Sequence, residues 1–301
     1  MNILMIGGTG FLGSNCAKAL RKRHTVYCTG IPGPGIEDES FISLKIQETE
    51  KIISLIETKK IDVVMHLVST LLPNSSHSDY LSDIQNIYVP TLQLVDYCSS
   101  HQVKFVFFSS GGAVYGNQNG AFSEDLICSP ISYYGLSKLN MEQMISFYHA
   151  KGLVYLIIRP SNPYGPGQNI YGRQGLIAVT MGKILNNQPI EIWGDGLAVK
   201  DYIYIDDFVH YVVTLLETER AWNGTYNIGS GIGTSVNQVI EAFTINSIQL
   251  PQIQYVATKA MDVSHMILNC TKLNSIVKWS CKPLVEGIAC FWNFLNQKTA
   301  E

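Results

Sequence analysis

The chain has 301 residues, 46% hydrophobic and 15% charged, with Lys plus Arg at 21 against Asp plus Glu at 24 for a net charge of -3. This length supports a large buried core and excludes a disulfide-stapled miniprotein; the apolar content excludes intrinsic disorder, and the lack of a basic block removes the footprint of a nucleic-acid partner. No apolar run approaches the roughly 18 residues of a membrane span, and the start MNILMIGG has no charged leader, so no membrane association is expected and the cytoplasm is the expected compartment.

From the N-terminus, the predicted strand Ile3–Ile6 runs into Gly7, Gly10 and Gly13, and a predicted helix follows over Phe11–Lys22. Strand, glycine turn and helix in that order form the context of a dinucleotide site. Gly7 permits the tight turn, Gly10 admits the pyrophosphate to the backbone, and Gly13 lets helix and strand pack closely. The anion then sits at the helix N-terminus, where amides lack partners. After the next strand, Thr25–Thr29, an acid that would hold the adenosine ribose should fall near Gly30, but the segment reads CTGIPGPG, and Leu44-Lys45-Ile46 offers no Asp either. No Arg or Lys stands near Gly30 to take a 2′-phosphate, so NAD is the expected cofactor, and nothing there shuts out NADP.

Further on, Ile61–Leu67, Val103–Ser109 and Leu153–Arg159 are β-branched or aromatic runs, and Glu48–Thr58, Asp83–Ser100 and Tyr134–Lys151 have helical spacing between them. Parallel strands need such crossovers, so the expected fold is α/β, a doubly wound parallel Rossmann-type sheet. After Arg159-Pro160 a Gly-, Pro- and Asn-rich loop introduces a smaller C-terminal substrate lobe, with a helix near Leu176–Asn186 and strands near Ile190–Trp193 and Gln254–Ala257. The expected division is 1–165 for the dinucleotide domain and 166–301 for the substrate lobe, with 200–230, including strand-like Tyr202–Asp206 and Tyr226–Ser230, returning to the first sheet.

Tyr134 and Lys138 lie four apart on one predicted helix face, where an ammonium favours the phenolate and brings the tyrosine toward the range of a general base. Seven cysteines without a C-x-x-C are expected to be reduced, packed thiols. Seven scattered histidines offer no metal-ligand spacing, so no metal is expected, and Asp206-Asp207 reads as N-terminal capping of a helix.

With the glycine fingerprint upstream, the Tyr134 and Lys138 pair resembles the extended short-chain dehydrogenase/reductase family, within it the NAD-dependent sugar-nucleotide epimerases and dehydratases of the UDP-glucose 4-epimerase type. DVVMHL at 62–67, SSGGAVYG at 109–116, RPSNPYGPGQ at 159–168, WGDG at 193–196, DYIYIDD at 201–207 and YNIGSG at 226–231 carry the likeness along nearly the whole chain. The resemblance implies that Tyr134 is the acid/base on a sugar hydroxyl and that Lys138 lowers its pKa and binds the nicotinamide ribose. It places the cofactor against Gly7, Thr9, Gly10, Phe11, Leu12, Gly13, Leu67, Val68, Ser69, Asn86, Tyr134, Lys138 and Pro160. The family's third catalytic hydroxyl falls on Gly111, so the adjacent Ser110 takes that role, with flanking glycines relaxing the backbone; otherwise Ser109 and Ser110 are structural and the proton path is shorter.

For the substrate, the resemblance implies Ser110 at the sugar, Asn162 at the nucleotide diphosphate, and Lys200 and Lys259 where the family shows arginines, which keeps charge and loses the bidentate grip. Arg173 is the candidate for the missing guanidinium. The function implied is an NAD-dependent epimerase acting on a nucleotide-activated sugar of UDP-hexose type through transient oxidation to a keto-sugar, as a homodimer. Gly112-Ala113 replaces the acidic pair of a 4,6-dehydratase, which disfavours dehydration. An NADPH-dependent keto-sugar nucleotide reductase and a non-catalytic dinucleotide-binding sensor are the alternatives.

Overall fold

The computed structural model describes residues 1–31, 40–118, 120–172, 174–257 and 265–299. The chain forms two compact units, one comprising Met1–Gly116, Ile127–Arg159 and Val209–Tyr226, the other Asn117–Leu126, Pro160–Phe208 and Asn227–Glu301. The second unit thus claims a ten-residue excursion that a single boundary after residue 165 leaves out.

The first unit is built on strands β1 (Asn2–Ile6), β2 (Thr25–Thr29), β3 (Phe41–Ile42), β4 (Val63–His66), β5 (Lys104–Phe108), β6 (Tyr155–Pro160) and β7 (Gly224–Ile228). They form one sheet in the order β7-β6-β5-β4-β1-β2-β3, and β1 to β6 pair in parallel. Between them run α1 (Phe11–Leu20), α2 (Thr49–Thr58), α3 (His77–Asp83), α4 (Val89–Ser100), α5 (Gly111–Val114) and α6 (Tyr133–His149). The strands read as continuous apolar runs because both sheet faces are covered: on one face Leu4, Ile6, Val64, Phe105, Phe107 and Ile157 pack with Ile52 and Ile56 of α2, Leu94 and Val95 of α4, and Met141 and Ile145 of α6. Strand order reverses at β1, flanked by β2 and β4, and ligands of such sheets bind beyond the carboxyl ends of strands at that point.

Two expectations change here. The helix expected over Asp83–Ser100 is interrupted by a π-helical turn at Ile84–Tyr88. Pro90 has no amide to offer the Asn86 carbonyl four residues earlier, and that carbonyl accepts instead from Gln47 Nε2 at 2.9 Å, while Thr91 Oγ1 donates to the Ile87 carbonyl at 2.6 Å. The strand expected at Tyr202–Asp206 lies at Val199–Tyr204 and does not return to the first sheet. It joins the second unit's five-stranded sheet, antiparallel to Gly233–Ser235 and parallel to His265–Leu268 and Asn162–Tyr164. The piece expected at Tyr226–Ser230 is β7.

What fixes Val199–Tyr204 in the second unit is Asp201, fully buried. Its Oδ1 accepts from the amide and hydroxyl of Ser230, both at 2.8 Å, and its Oδ2 from the amides of Gly231 at 3.1 Å and Leu268 at 3.4 Å. Burial pushes the carboxyl above its ordinary range and these donors pull it back. Asp201→Ala orphans two or three amides at about 1–3 kcal/mol each, so urea denaturation should show a loss of about 3 kcal/mol or more; an unchanged midpoint would contradict this account. Asp207, read from sequence as a helix cap, has another partner as well. Although it lies in the first turn of the helix Ile205–Glu217, its carboxylate accepts from Trp279 Nε1 and the Lys282 amide, both at 2.8 Å. No described helix is long and apolar enough to cross a membrane. All seven cysteines are free thiols, and Cys290 is exposed rather than packed.

Candidate active site

At the carboxyl end of β1 the amides of Gly7 and Gly8 both donate to the Thr29 carbonyl, at 2.8 and 3.3 Å, and Gly7 turns with φ of 84°. A side chain at Gly13 would put its Cβ 2.7 Å from the Gly7 carbonyl oxygen and 2.8 Å from Gly8 Cα, contacts that backbone cannot relieve. Gly10 is different: its nearest neighbour would be the Gly7 oxygen at 3.6 Å, an ordinary contact. Gly10 caps α1 without any side-chain hydrogen bond, and the first turn carries no acid. Open space in front of an uncapped helix N-terminus is what a pyrophosphate requires, so these residues fit a dinucleotide.

Around this cradle the Leu67 amide donates to the Ile6 carbonyl at 2.9 Å, and a Cβ on Gly7 would meet the Val68 amide nitrogen at 3.1 Å, so Leu67 and Val68 border the turn. Ser69 follows them, exposed, and Phe11 and Leu12 open α1 half-buried. Thr9 Oγ1 donates to the Ile31 carbonyl at 3.4 Å and would lie 3.1 Å from a Cβ at Gly30, whose φ of 158° few side chains adopt. Thr9 thus holds the place from which an acid at position 30 would project. Asn86 lies in the π-helical turn, exposed, with its amide donating to the Ser82 carbonyl and hydroxyl at 2.9 and 3.1 Å.

Ser110, Tyr134 and Lys138 are brought together in the first unit. Ser110 caps α5, yet its hydroxyl leaves the helix amides alone, faces Tyr134 and pulls the phenol's pKa down. The backbone at 111–114 is helical, so the glycines after Ser110 supply a tight helical turn rather than left-handed freedom. Gly135 makes the approach of α6 possible, because a Cβ there would stand 2.4 Å from the Ala113 carbonyl oxygen. One turn later Lys138 Nζ donates to the Phe108 carbonyl at 2.9 Å and lies 5.9 Å from the Tyr134 ring centroid.

Burial raises the Tyr134 phenol and the Ser110 hydroxyl lowers it, while the Lys138 ammonium donates to the Phe108 carbonyl. Lys138 is itself pushed down to about 8 by burial, against the opposing pull of Asp83 and Glu142. Asp83 was missed from sequence: buried, it accepts from Thr70 Oγ1 at 2.7 Å and Ser137 Oγ at 2.6 Å. His66, at the end of β4, is pushed down to about 3 by burial and by Lys138, so it stays neutral. Glu142 was missed too, although an acid four residues after Lys138 on a helix that packs into the core was the available signal.

In the second unit Asn162 donates its amide to the Asp201 carbonyl at 2.8 Å, and Lys200 stands half-buried in register with Thr234 and Met266. Pro160, at the end of β6, is that unit's first residue after the excursion. Arg173 and Lys259 lie outside the described residues. Among the described residues no group of His, Cys, Asp and Glu has the arrangement of a metal site.

Comparison with known proteins gives a consistent set. The model of the NAD dependent epimerase/dehydratase family matches residues 3–229. A dTDP-4-dehydro-6-deoxyglucose reductase of Escherichia coli is 38% identical over 202 residues, which cover 66% of this chain and 62% of that relative's length. The crystal structure of a UDP-glucose 4-epimerase with UDP-glucose from Thermotoga maritima superposes with a TM-score of 0.90 at 31% identity and full coverage of both chains. That of the Thermus thermophilus UDP-glucose 4-epimerase in complex with NAD gives 0.89 at 25% identity, covering 98% of this chain and 99% of the other.

Proposed function

The chain belongs to the NAD dependent epimerase/dehydratase family, and from that membership we infer an NAD-dependent epimerase that acts on a nucleotide-activated sugar of UDP-hexose type. The observation that carries the reading is the packing of α6 at Gly135 onto α5 just after Ser110, which sets Tyr134, with Lys138 one turn away, beside Ser110 in the unit that bears the bare glycine cradle. NAD fits that cradle and, when bound, supplies reversible acceptance of hydride, so that a keto-sugar forms transiently and no cofactor is consumed. Tyr134 accepts the proton of the sugar hydroxyl and returns it after the carbon has inverted, and Ser110 holds the phenol and the sugar oxygen in one hydrogen-bonded line. Lys138 adds a positive charge beside the developing oxyanion. Gly7, Gly10 and Gly13, with Thr9, Phe11, Leu12, Leu67 and Val68, hold the dinucleotide. Asn162, Lys200, Arg173 and Lys259 are the proposed holders of the nucleoside diphosphate.

We propose a homodimer, supported by the exposed apolar side chains Leu81, Val89 and Phe147 on α3, α4 and α6. The free thiols support the cytoplasm as its compartment.

The test offers UDP-glucose, UDP-galactose and UDP-glucuronic acid to the purified protein with NAD, following sugar configuration by NMR and nicotinamide absorbance in parallel. Epimers should accumulate to equilibrium with no net change in absorbance. The likeness to a reductase gives the competing outcome: steady oxidation of NADPH by a nucleotide-linked 4-keto-sugar, without epimers, would replace this reading. A protein that binds NAD and turns over neither class would be the sensor.

A further inference from the structure

Four buried polar side chains converge behind the proton-transfer trio. Arg159, near the end of β6, places Nη2 2.6 Å from Glu142 Oε2 and Nε 3.0 Å from Glu142 Oε1, while its Nη1 donates to the Tyr115 hydroxyl at 2.8 Å. The Ser109 hydroxyl donates to Glu142 Oε1 as well. All four are buried. Glu142 lies one turn from Lys138 and two from Tyr134 on α6, whereas Ser109 and Tyr115 stand on either side of Ser110 and α5. One ion pair therefore grips the chain before and after Ser110 and ties both points to the helix that carries the other two members of the trio.

A buried ion pair contributes little to stability, because desolvating two charges offsets their attraction; what a bidentate guanidinium and carboxylate do well is fix orientation. Ser110 needs that. Its hydroxyl gains no hold from the helix it caps. We propose that Glu142, held by Arg159, is a positioning residue that fixes Ser109 and, through it, aims the Ser110 hydroxyl at Tyr134. Its catalytic consequence rests on the epimerase reading above; its geometric consequence does not.

Ser109→Ala removes one hydroxyl and leaves the ion pair intact, and Glu142→Gln keeps an acceptor for Ser109 while removing the charge. The first readout is the NMR shift of the Tyr134 ring carbon that bears oxygen, assigned by its loss in Tyr134→Phe, which follows hydrogen bonding at the phenol without any turnover. Ser109→Ala should move that signal in the direction that Ser110→Ala moves it. The second readout is kinetic: Ser109→Ala should lower kcat by about 10-fold with KM within about 2-fold, and Glu142→Gln should do the same. Added to Ser110→Ala, Ser109→Ala should cost nothing further, because both act through one hydroxyl. A Tyr134 signal unchanged from wild type in Ser109→Ala, or a kcat loss that multiplies in full with that of Ser110→Ala, overturns the positioning role. A wild-type protein that turns over no nucleotide sugar, yet shows the shifted signal in Ser109→Ala, overturns the epimerase reading and supports the positioning role.

Discussion

Tyr134→Phe should reduce epimerisation by at least about 10²–10⁴-fold, the range that general acid–base groups supply, while the protein stays folded and retains NAD. The substitution keeps the aromatic ring and removes only the hydroxyl that meets Ser110. Among the described residues, neither His66 nor Lys138 is placed to take over. His66 is neutral and buried, and its ring nitrogen Nε2 is paired with Thr91 Oγ1 at 3.0 Å. Lys138 already donates to the Phe108 carbonyl. Wild-type turnover should also fall as pH rises through about 8, because the ammonium that burial holds there loses its charge above that point. Steady-state kinetics across pH, with bound cofactor followed by absorbance, checks both statements. Turnover by Tyr134→Phe within a few-fold of wild type would remove the phenol from the mechanism.

Gly10→Val and Gly13→Ala should fail in opposite ways. At Gly10 the backbone has φ of -71° and ψ of 172°, open to any residue, and a Cβ meets only the Gly7 oxygen at 3.6 Å. The variant should melt like wild type but lose NAD affinity by at least about 100-fold, roughly 2.8 kcal/mol, because the new side chain fills the space meant for phosphate. At Gly13 even a methyl group is driven to 2.7 Å from the Gly7 carbonyl oxygen, and the turn must move as a whole. Overpacking of this kind costs about 1–3 kcal/mol and more where backbone is the obstacle, so Gly13→Ala should lower the melting temperature. Calorimetric titration with NAD and thermal melts separate the two. Unchanged NAD affinity in a folded Gly10→Val protein would sever the glycine turn from cofactor binding.

What could be read from the sequence was local. The run from Asn2 to Gly13 declares itself because a strand, a turn and a helix start follow one another within a dozen residues, and every conformational demand is met inside that stretch. Ser110 was legible as a candidate because Gly111 has no hydroxyl, but its approach to Tyr134 was not, since that depends on α5 meeting α6 at Gly135. The Phe108 carbonyl that accepts from Lys138 was not legible either, because spacing places two side chains on one helix face without revealing which strand carbonyl the ammonium meets. The π-helical turn needed Gln47, just before α2, to satisfy the Asn86 carbonyl, and Asp207 found Trp279 at 72 positions' remove. Such pairings exist only once the fold has brought distant segments together.

The late arrival of β7 shapes how the protein can be made. During synthesis β1 to β6 emerge in sequence, but the strand that covers the far side of β6 comes only at Gly224–Ile228, after the chain has passed through Pro160–Phe208 of the other unit. Until then β6 presents an open row of backbone donors and acceptors, flanked by the apolar Leu156, Ile157 and Ile158, which is the kind of edge that recruits strands from other molecules. A fragment that stops after Arg159 holds the glycine turn with Ser110, Tyr134 and Lys138, yet it should aggregate, and a permuted chain that supplies 209–228 first would shield the nascent edge from the start.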